Sequence, residues 1–252
     1  WLKDNGVPGI WGVDTRRITK IIRERGVMLG KLVIEGSPEP AEFVDPNKEN
    51  LAALVSTKQV ETYGNGKYRI VLVDCGCKYN IVRCLTKRNA TVIRVPWDYD
   101  FTQIDYDGVM LSNGPGDPQQ CGATIANIRK AIALGKPIFG ICLGNQLLSI
   151  AAGATTFKLK YGHRSHNQPA LMVGTDRAVI TSQNHGFAVD TTTLDEGWEP
   201  YFVNLNDGTS EGIRHRTKPF FSVQFHPEAS GGPVDTEFLF DDFIQNIEKC
   251  RK

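Results

Sequence analysis

The stretch Lys136-Pro-Ile-Phe-Gly-Ile-Cys142-Leu-Gly-Asn-Gln-Leu-Leu-Ser-Ile150 constrains the fold of this chain more than any other. A short apolar run enters Gly140-Ile-Cys-Leu-Gly144, and an apolar helical pattern leaves it through Leu147, Leu148 and Ile150. This is the pattern of a strand, a sharp turn and a helix, with a cysteine where a nucleophile elbow carries its reactive residue. Side chains at Gly140 or Gly144 would collide with the neighbouring strand and helix. The helix that follows points the positive end of its dipole at the Cys142 sulfur and favours negative charge there. The alternative is a small buried core cysteine, a common fate of that residue type.

An elbow of this kind needs a sheet to stand on, and the sequence offers one. Tyr68–Val73, Thr91–Val95, Gly108–Leu111 and Pro137–Ile141 are expected strands, with helices over Ile81–Arg88 and Thr124–Leu134 between them. Strands alternating with helices indicate a mostly parallel sheet flanked by helices, an α/β fold. Sites in such sheets form beyond the carboxyl ends of the strands, where Cys142 and the loop after Leu111 both fall. Residues 170–223 are richer in short β-like runs and turns. Ahead of this region, Asp14-Thr15 caps an expected helix with the stripe Ile18, Ile21 and Ile22 and a stop at Gly26. Leu29–Ile34 reads as a strand. Residues 36–67, with Pro38, Pro40, Pro46, Gly64 and Gly66, have the composition of a connection. The expected division is therefore 1–67, a partial N-terminal domain with a linker, and 68–252, the α/β domain. The first residue is Trp1, as expected of a fragment or a processed product.

A net charge of +1 gives no electrostatic reason to bind nucleic acid or an anionic membrane, and no apolar run reaches membrane-spanning length. The cysteines at 75, 77, 84, 121, 142 and 250 fit neither a disulfide framework nor a zinc site. With no secretory signal visible, the expected setting is reducing and cytoplasmic.

Two further motifs carry chemistry. Ser112-Asn-Gly-Pro-Gly-Asp-Pro118 follows a strand, and Gly114 and Gly116 let backbone N–H groups approach an anionic ligand closely; a plain turn is the alternative. Phe221-Ser-Val-Gln-Phe-His226-Pro-Glu228 is a strand ending in a histidine and a carboxylate. Extended chain would put residues i and i+2 on one side, so Glu228 can orient His226. A carboxylate, an imidazole and a thiol form the general orienter–base–nucleophile set; a surface His beside a solvated Glu is the alternative.

In this order, Ser112–Pro118, Gly140–Gly144 and His226–Glu228 resemble the class I, triad-type glutamine amidotransferases over about residues 68–252. Tyr161-Gly-His-Arg-Ser-His-Asn-Gln-Pro169 and Thr181–Asp190 are similar to the small, glutamine-hydrolysing subunit of carbamoyl-phosphate synthetase. Val13-Asp-Thr-Arg-Arg17 with Gly30-Lys31 is similar to the end of that subunit's N-terminal domain. The resemblance implies that Cys142, His226 and Glu228 are catalytic and pass through a thioester. It implies that Gly114, Gly116, Leu143, Gln146, Asn184, Gly186 and Phe187 bind glutamine. It further implies a partner, the carbamoyl-phosphate synthetase large subunit, in arginine or pyrimidine biosynthesis. ATP and magnesium would then sit on that partner, with no cofactor in this chain. Asn145 departs from the family, where many members carry His, and little effect on chemistry is expected. His163, His166 and His185 match no zinc spacing, so no metal is expected. Tyr161–Pro169 is the expected docking segment. The alternatives are a glutaminase for another synthase, of anthranilate or GMP type, and a catalytically silent regulatory module.

Overall fold

The strands Tyr68–Asp74 (β2), Ala90–Pro96 (β3), Gly108–Leu111 (β4) and Ile138–Ile141 (β5) run parallel, as the alternating pattern predicts. In this computed structural model, which describes residues 1–40 and 42–251, they form the centre of a ten-stranded sheet. Glu61–Tyr63 (β1) pairs antiparallel with β3 at one edge. Phe220–Val223 (β10) adds in parallel to β5 at the other side. From there the sheet turns antiparallel through Ser210–His215 (β9), Trp198–Asn204 (β8), Thr155–Met172 (β6) and Ala178–Asp190 (β7).

Alternation along the buried strands sorts their side chains into two cores. Ile70 and Leu72 of β2 join Met110 and Phe139 under Tyr79–Thr86 (α3) and Phe238–Cys250 (α6). Val71 and Val73 face the other way, with Val109, Leu111 and Ile138, against Gly122–Leu134 (α4) and Leu143–Ala151 (α5). Helix α6 lies outside the elements expected above. Its buried Leu239, Phe240, Phe243 and Ile247 recur at helical spacing, and Phe240 meets Phe139 edge to face at 5.6 Å.

The chain separates into two compact units, Trp1–Val44 and Asp45–Lys252. The second begins ahead of the boundary expected near Tyr68, because the supposed connection is folded. A short helix, Leu51–Val55 (α2), buries Ala52 in the core with Val71 and Val73. The backbone N–H of Thr57 donates to the buried Asp74 carboxylate at 2.6 Å, and Arg94 bridges Asp74 and Glu61 at 2.7 and 2.9 Å. In the first unit, Thr15–Arg25 (α1) forms as expected, with Asp14 accepting from the Arg17 N–H at 2.9 Å and Gly26 ending it. The expected strand over 29–34 does not form. Those residues are irregular, and among the described residues of their unit no strand offers the ladder partner that extended chain requires. Among the described residues, no helix is long and apolar enough to cross a membrane.

Candidate active site

Cys142 stands where β5 becomes α5, with φ 54° and ψ −103°. A non-glycine residue held at such angles is strained, and the surroundings explain why it stays there. Its N–H donates to Val223 O of β10 at 2.8 Å, and Gly144 N–H donates to Ser112 O at 3.0 Å, so the turn is pinned to β10 and to the residue that follows β4. A Cβ on Gly140 would meet Gly144 O at 2.6 Å, and one on Gly144 would meet Leu111 O at 2.3 Å. The collisions expected from sequence are thus with the backbone, which cannot swing aside.

Below the elbow lies a buried amide network. Ser222 donates to Asn145 Oδ1 at 2.8 Å, Asn145 Nδ2 donates to Gln224 Oε1 at 3.0 Å, and Gln146 Nε2 donates to the same oxygen at 3.2 Å. Asn145 is fully buried and joins the elbow helix to the chain around β10. It is therefore a structural bridge, a role that its position after Gly144 did not suggest.

His226 and Glu228 are both buried, and His226 Nδ1 donates to Glu228 Oε1 at 2.7 Å. The extended geometry proposed for this pair is absent. Strand β10 ends at Val223, and His226–Glu228 forms a turn closed by Ala229 N–H donating to His226 O at 3.1 Å. Pro227 removes a ladder donor and favours that departure. The pair is held from outside by Asn80, whose Nδ2 donates to Glu228 O at 2.5 Å, and by Ser182 O, which accepts from His226 N–H at 2.9 Å.

Lys78 was not foreseen. Its Nζ lies 3.1 Å from His226 Nδ1 and 3.3 Å from Glu228 Oε1, where it forms an ion pair with the carboxylate that orients the imidazole. Its distance along the chain from His226 hid it; no local motif joins them. Burial opposes charge on His226, but the charge on Cys142 and hydrogen bonds to Cys142 and Glu228 outweigh it and raise the imidazole to about 10. Burial also opposes charge on Glu228, and His226 with Lys78 holds its carboxyl below the usual range. Lys78→Met is expected to lower kcat about fivefold, the rate equivalent of the ~1 kcal/mol that a partly exposed ion pair supplies. Unchanged steady-state kcat would show that Glu228 needs no such support.

The remaining predicted residues fall around this centre. A Cβ on Gly114 would stand 2.7 Å from Leu143 Cδ2 and 2.1 Å from Cys75 O, so the glycine loop packs against the residue after Cys142. Gly116 has φ 91°, a left-handed conformation that suits glycine. Gln146 Nε2 also donates to Phe187 O at 3.1 Å, linking α5 to the β7 segment that carries Asn184, Gly186 and Phe187. Asn184 is exposed, whereas Gln146 is buried. Of the three histidines considered for metal, His163 and His185 meet with ring centroids 4.9 Å apart. His166 bonds Ser182 Oγ at 2.8 Å instead.

Residues 71–246 match the family model for class-I glutamine amidotransferases, and residues 1–32 match that of the carbamoyl-phosphate synthase small chain, CPSase domain. The chain is 52% identical over 252 residues to human mitochondrial carbamoyl-phosphate synthase [ammonia], covering 99% of this chain and 17% of that protein. It is 53% identical over 248 residues to the multifunctional protein CAD of Squalus acanthias, covering 97% of this chain and 11% of that one. It is 49% identical over 264 residues to the arginine-specific small chain of carbamoyl phosphate synthase from Debaryomyces hansenii, covering all of this chain and 61% of the relative. The chain thus spans under a fifth of the first two relatives and under two thirds of the third. A solved protein of Thermoplasma acidophilum, ascribed to GMP synthase, shares the fold with a TM-score of 0.64 at 24% identity, covering 75% of this chain and 98% of its own. With its α/β sheet, its elbow cysteine and a family match over residues 71–246, the chain belongs to the class-I glutamine amidotransferases.

Proposed function

We propose that this chain hydrolyses the side-chain amide of glutamine and hands the ammonia to a synthetase that forms carbamoyl phosphate. The observation that carries the reading is the buried link from Cys142, strained at its elbow, through His226 to Glu228 Oε1. Cys142 sulfur attacks the amide carbon, and N–H groups at Leu143 and the Gly114–Gly116 loop stabilise the oxyanion. His226, protonated beside a charged sulfur, gives its proton to the departing ammonia. Thioester formation then removes the charge that raised His226. The imidazole thus becomes a better base when water has to be activated to release glutamate. Gln146, Asn184, Gly186 and Phe187 hold the amino acid.

The synthetase half of the reading rests on the match of residues 1–32 and on relatives named for carbamoyl phosphate synthesis, which also imply a large synthetase partner; ATP and magnesium on that partner are part of the proposal. The exposed Arg164 and His166 of β6 remain the proposed contacts to it, whereas His163 of that segment is turned inward. The human relative's name specifies ammonia and the mitochondrion. Overall identity therefore does not separate a working glutaminase from a silent one; the assembled cysteine, imidazole and carboxylate favour the working form. Six free cysteines suit a reducing interior, whether cytoplasm or mitochondrion. Glutamate release from glutamine, measured alone and with a carbamoyl-phosphate synthetase large subunit, tests the proposal. Release stimulated by the partner is expected. No release in either condition would leave the silent module as the reading.

A further inference from the structure

Three strands bring His163 (β6), His185 (β7) and Glu211 (β9) together beneath the sheet surface. They expose 9%, 5% and 0% of their area, and one donor atom from each lies within 4.8 Å of the other two. Each side chain is already held on its outer side. His163 Nε2 is 2.8 Å from Asp207 Oδ2, His185 Nδ1 is 2.7 Å from Phe187 O, and Glu211 Oε1 accepts from Asn204 Nδ2 at 2.8 Å. A carboxylate or carbonyl behind each imidazole, and a hydrogen bond behind the carboxylate, is the arrangement that orients metal ligands.

The inner atoms are the ones in difficulty. Glu211 Oε2 is buried and has no hydrogen-bond partner. Gln183 Oε1 lies 3.1 Å from His163 Nδ1 and 3.0 Å from His185 Nε2. A carbonyl can only accept, so His185 must carry its proton on Nδ1, facing Phe187 O. In the neutral ring, Nε2 then turns a lone pair toward the amide oxygen of Gln183. An ion pair between His163 and Glu211 Oε1, at 3.4 Å, answers part of the cluster. It leaves His185 Nε2 and Glu211 Oε2 without partners.

We propose that His163, His185 and Glu211, with Gln183 Oε1 as a fourth donor, form a binding site for a divalent transition metal of the zinc class. Two imidazoles and one carboxylate suit zinc, whereas magnesium and calcium take oxygen donors. Edges of a tetrahedral zinc site are about 3.3 Å, so the two imidazoles and Glu211 draw in on binding, while Gln183 Oε1 already lies 3.1 and 3.0 Å from the two rings. With every ligand buried, the role is structural. The metal ties β6, β7 and β9 together and fixes the β7 segment between His185 and Phe187. No spacing rule finds such a site, because its ligands come from three separate strands. The sequence expectation of no metal is replaced by this reading, which does not depend on the glutamine chemistry.

The test uses purified protein stripped with a chelator and titrated with Zn²⁺ alone, with Co²⁺ as a spectroscopic substitute. One zinc per chain is expected, weakened at least about 100-fold by His163→Asn or Glu211→Gln and about 10- to 100-fold by Asp207→Asn. The cobalt form should show tetrahedral d–d bands without thiolate-to-metal charge transfer. Asp207 is partly exposed, so its variant decides the matter if the buried substitutions fail to fold. No stoichiometric binding, binding indifferent to these variants, or a thiolate band would overturn the site and leave a hydrogen-bonded histidine–carboxylate cluster only.

Discussion

Cys142→Ser is expected to lower glutamine-dependent synthesis by about 10³-fold or more, the scale on which loss of a nucleophile acts when the rest of the site is intact. Ammonia-dependent synthesis by the same complex should stay near wild type. The reason is chemical: a serine hydroxyl at neutral pH lacks the nucleophilicity of a thiolate. It is also geometric. The elbow holds residue 142 with its N–H on Val223 O and its side chain beside His226, and serine leaves that backbone unchanged. Glutamate production with added glutamine and carbamoyl phosphate production with added ammonium are measured on one preparation. Glutamine use close to wild type would remove Cys142 from its proposed role. A parallel loss of the ammonia reaction would show damage beyond the nucleophile.

The parallel half of the sheet was legible because each strand is buried on both faces and reads as a continuous apolar run between helical segments. The elbow was legible because backbone collisions at Gly140 and Gly144 admit little but glycine. Other features depended on partners that one sequence cannot pair. Residues 36–67 look like a linker by composition, yet Ala52 finds a core and Asp74 finds the Thr57 N–H only in three dimensions. Lys78, Gln224 and Glu211 are single polar residues in unremarked positions. Each acquires its role from side chains brought in by distant parts of the fold. The stripe of α6 was present in the sequence at Leu239, Phe240, Phe243 and Ile247. The run 29–34 shows the opposite case, where apolar residues without a ladder partner stayed irregular.

His226→Asn is expected to reduce glutamine turnover about 10²- to 10⁴-fold, the usual contribution of a positioned proton donor and acceptor. Glu228→Gln should cost about one to two orders of magnitude less, since an orienting carboxylate is worth less than the base it serves. The pH profile separates the two roles. In the free protein the imidazole is raised to about 10, so its protonated form persists well above neutrality. Activity that needs that proton is present below this value and is lost as pH rises through it. Removing the Glu228 charge withdraws one of the interactions that favour the imidazolium, so the alkaline fall in kcat/KM should move to lower pH in Glu228→Gln. His226→Asn should lack that limb altogether. Steady-state rates from about pH 6 to 11, a window that brackets the imidazole's titration, decide the matter. An alkaline limb unmoved by Glu228→Gln, or Glu228→Gln more damaging than His226→Asn, would reverse the roles given to the imidazole and its carboxylate.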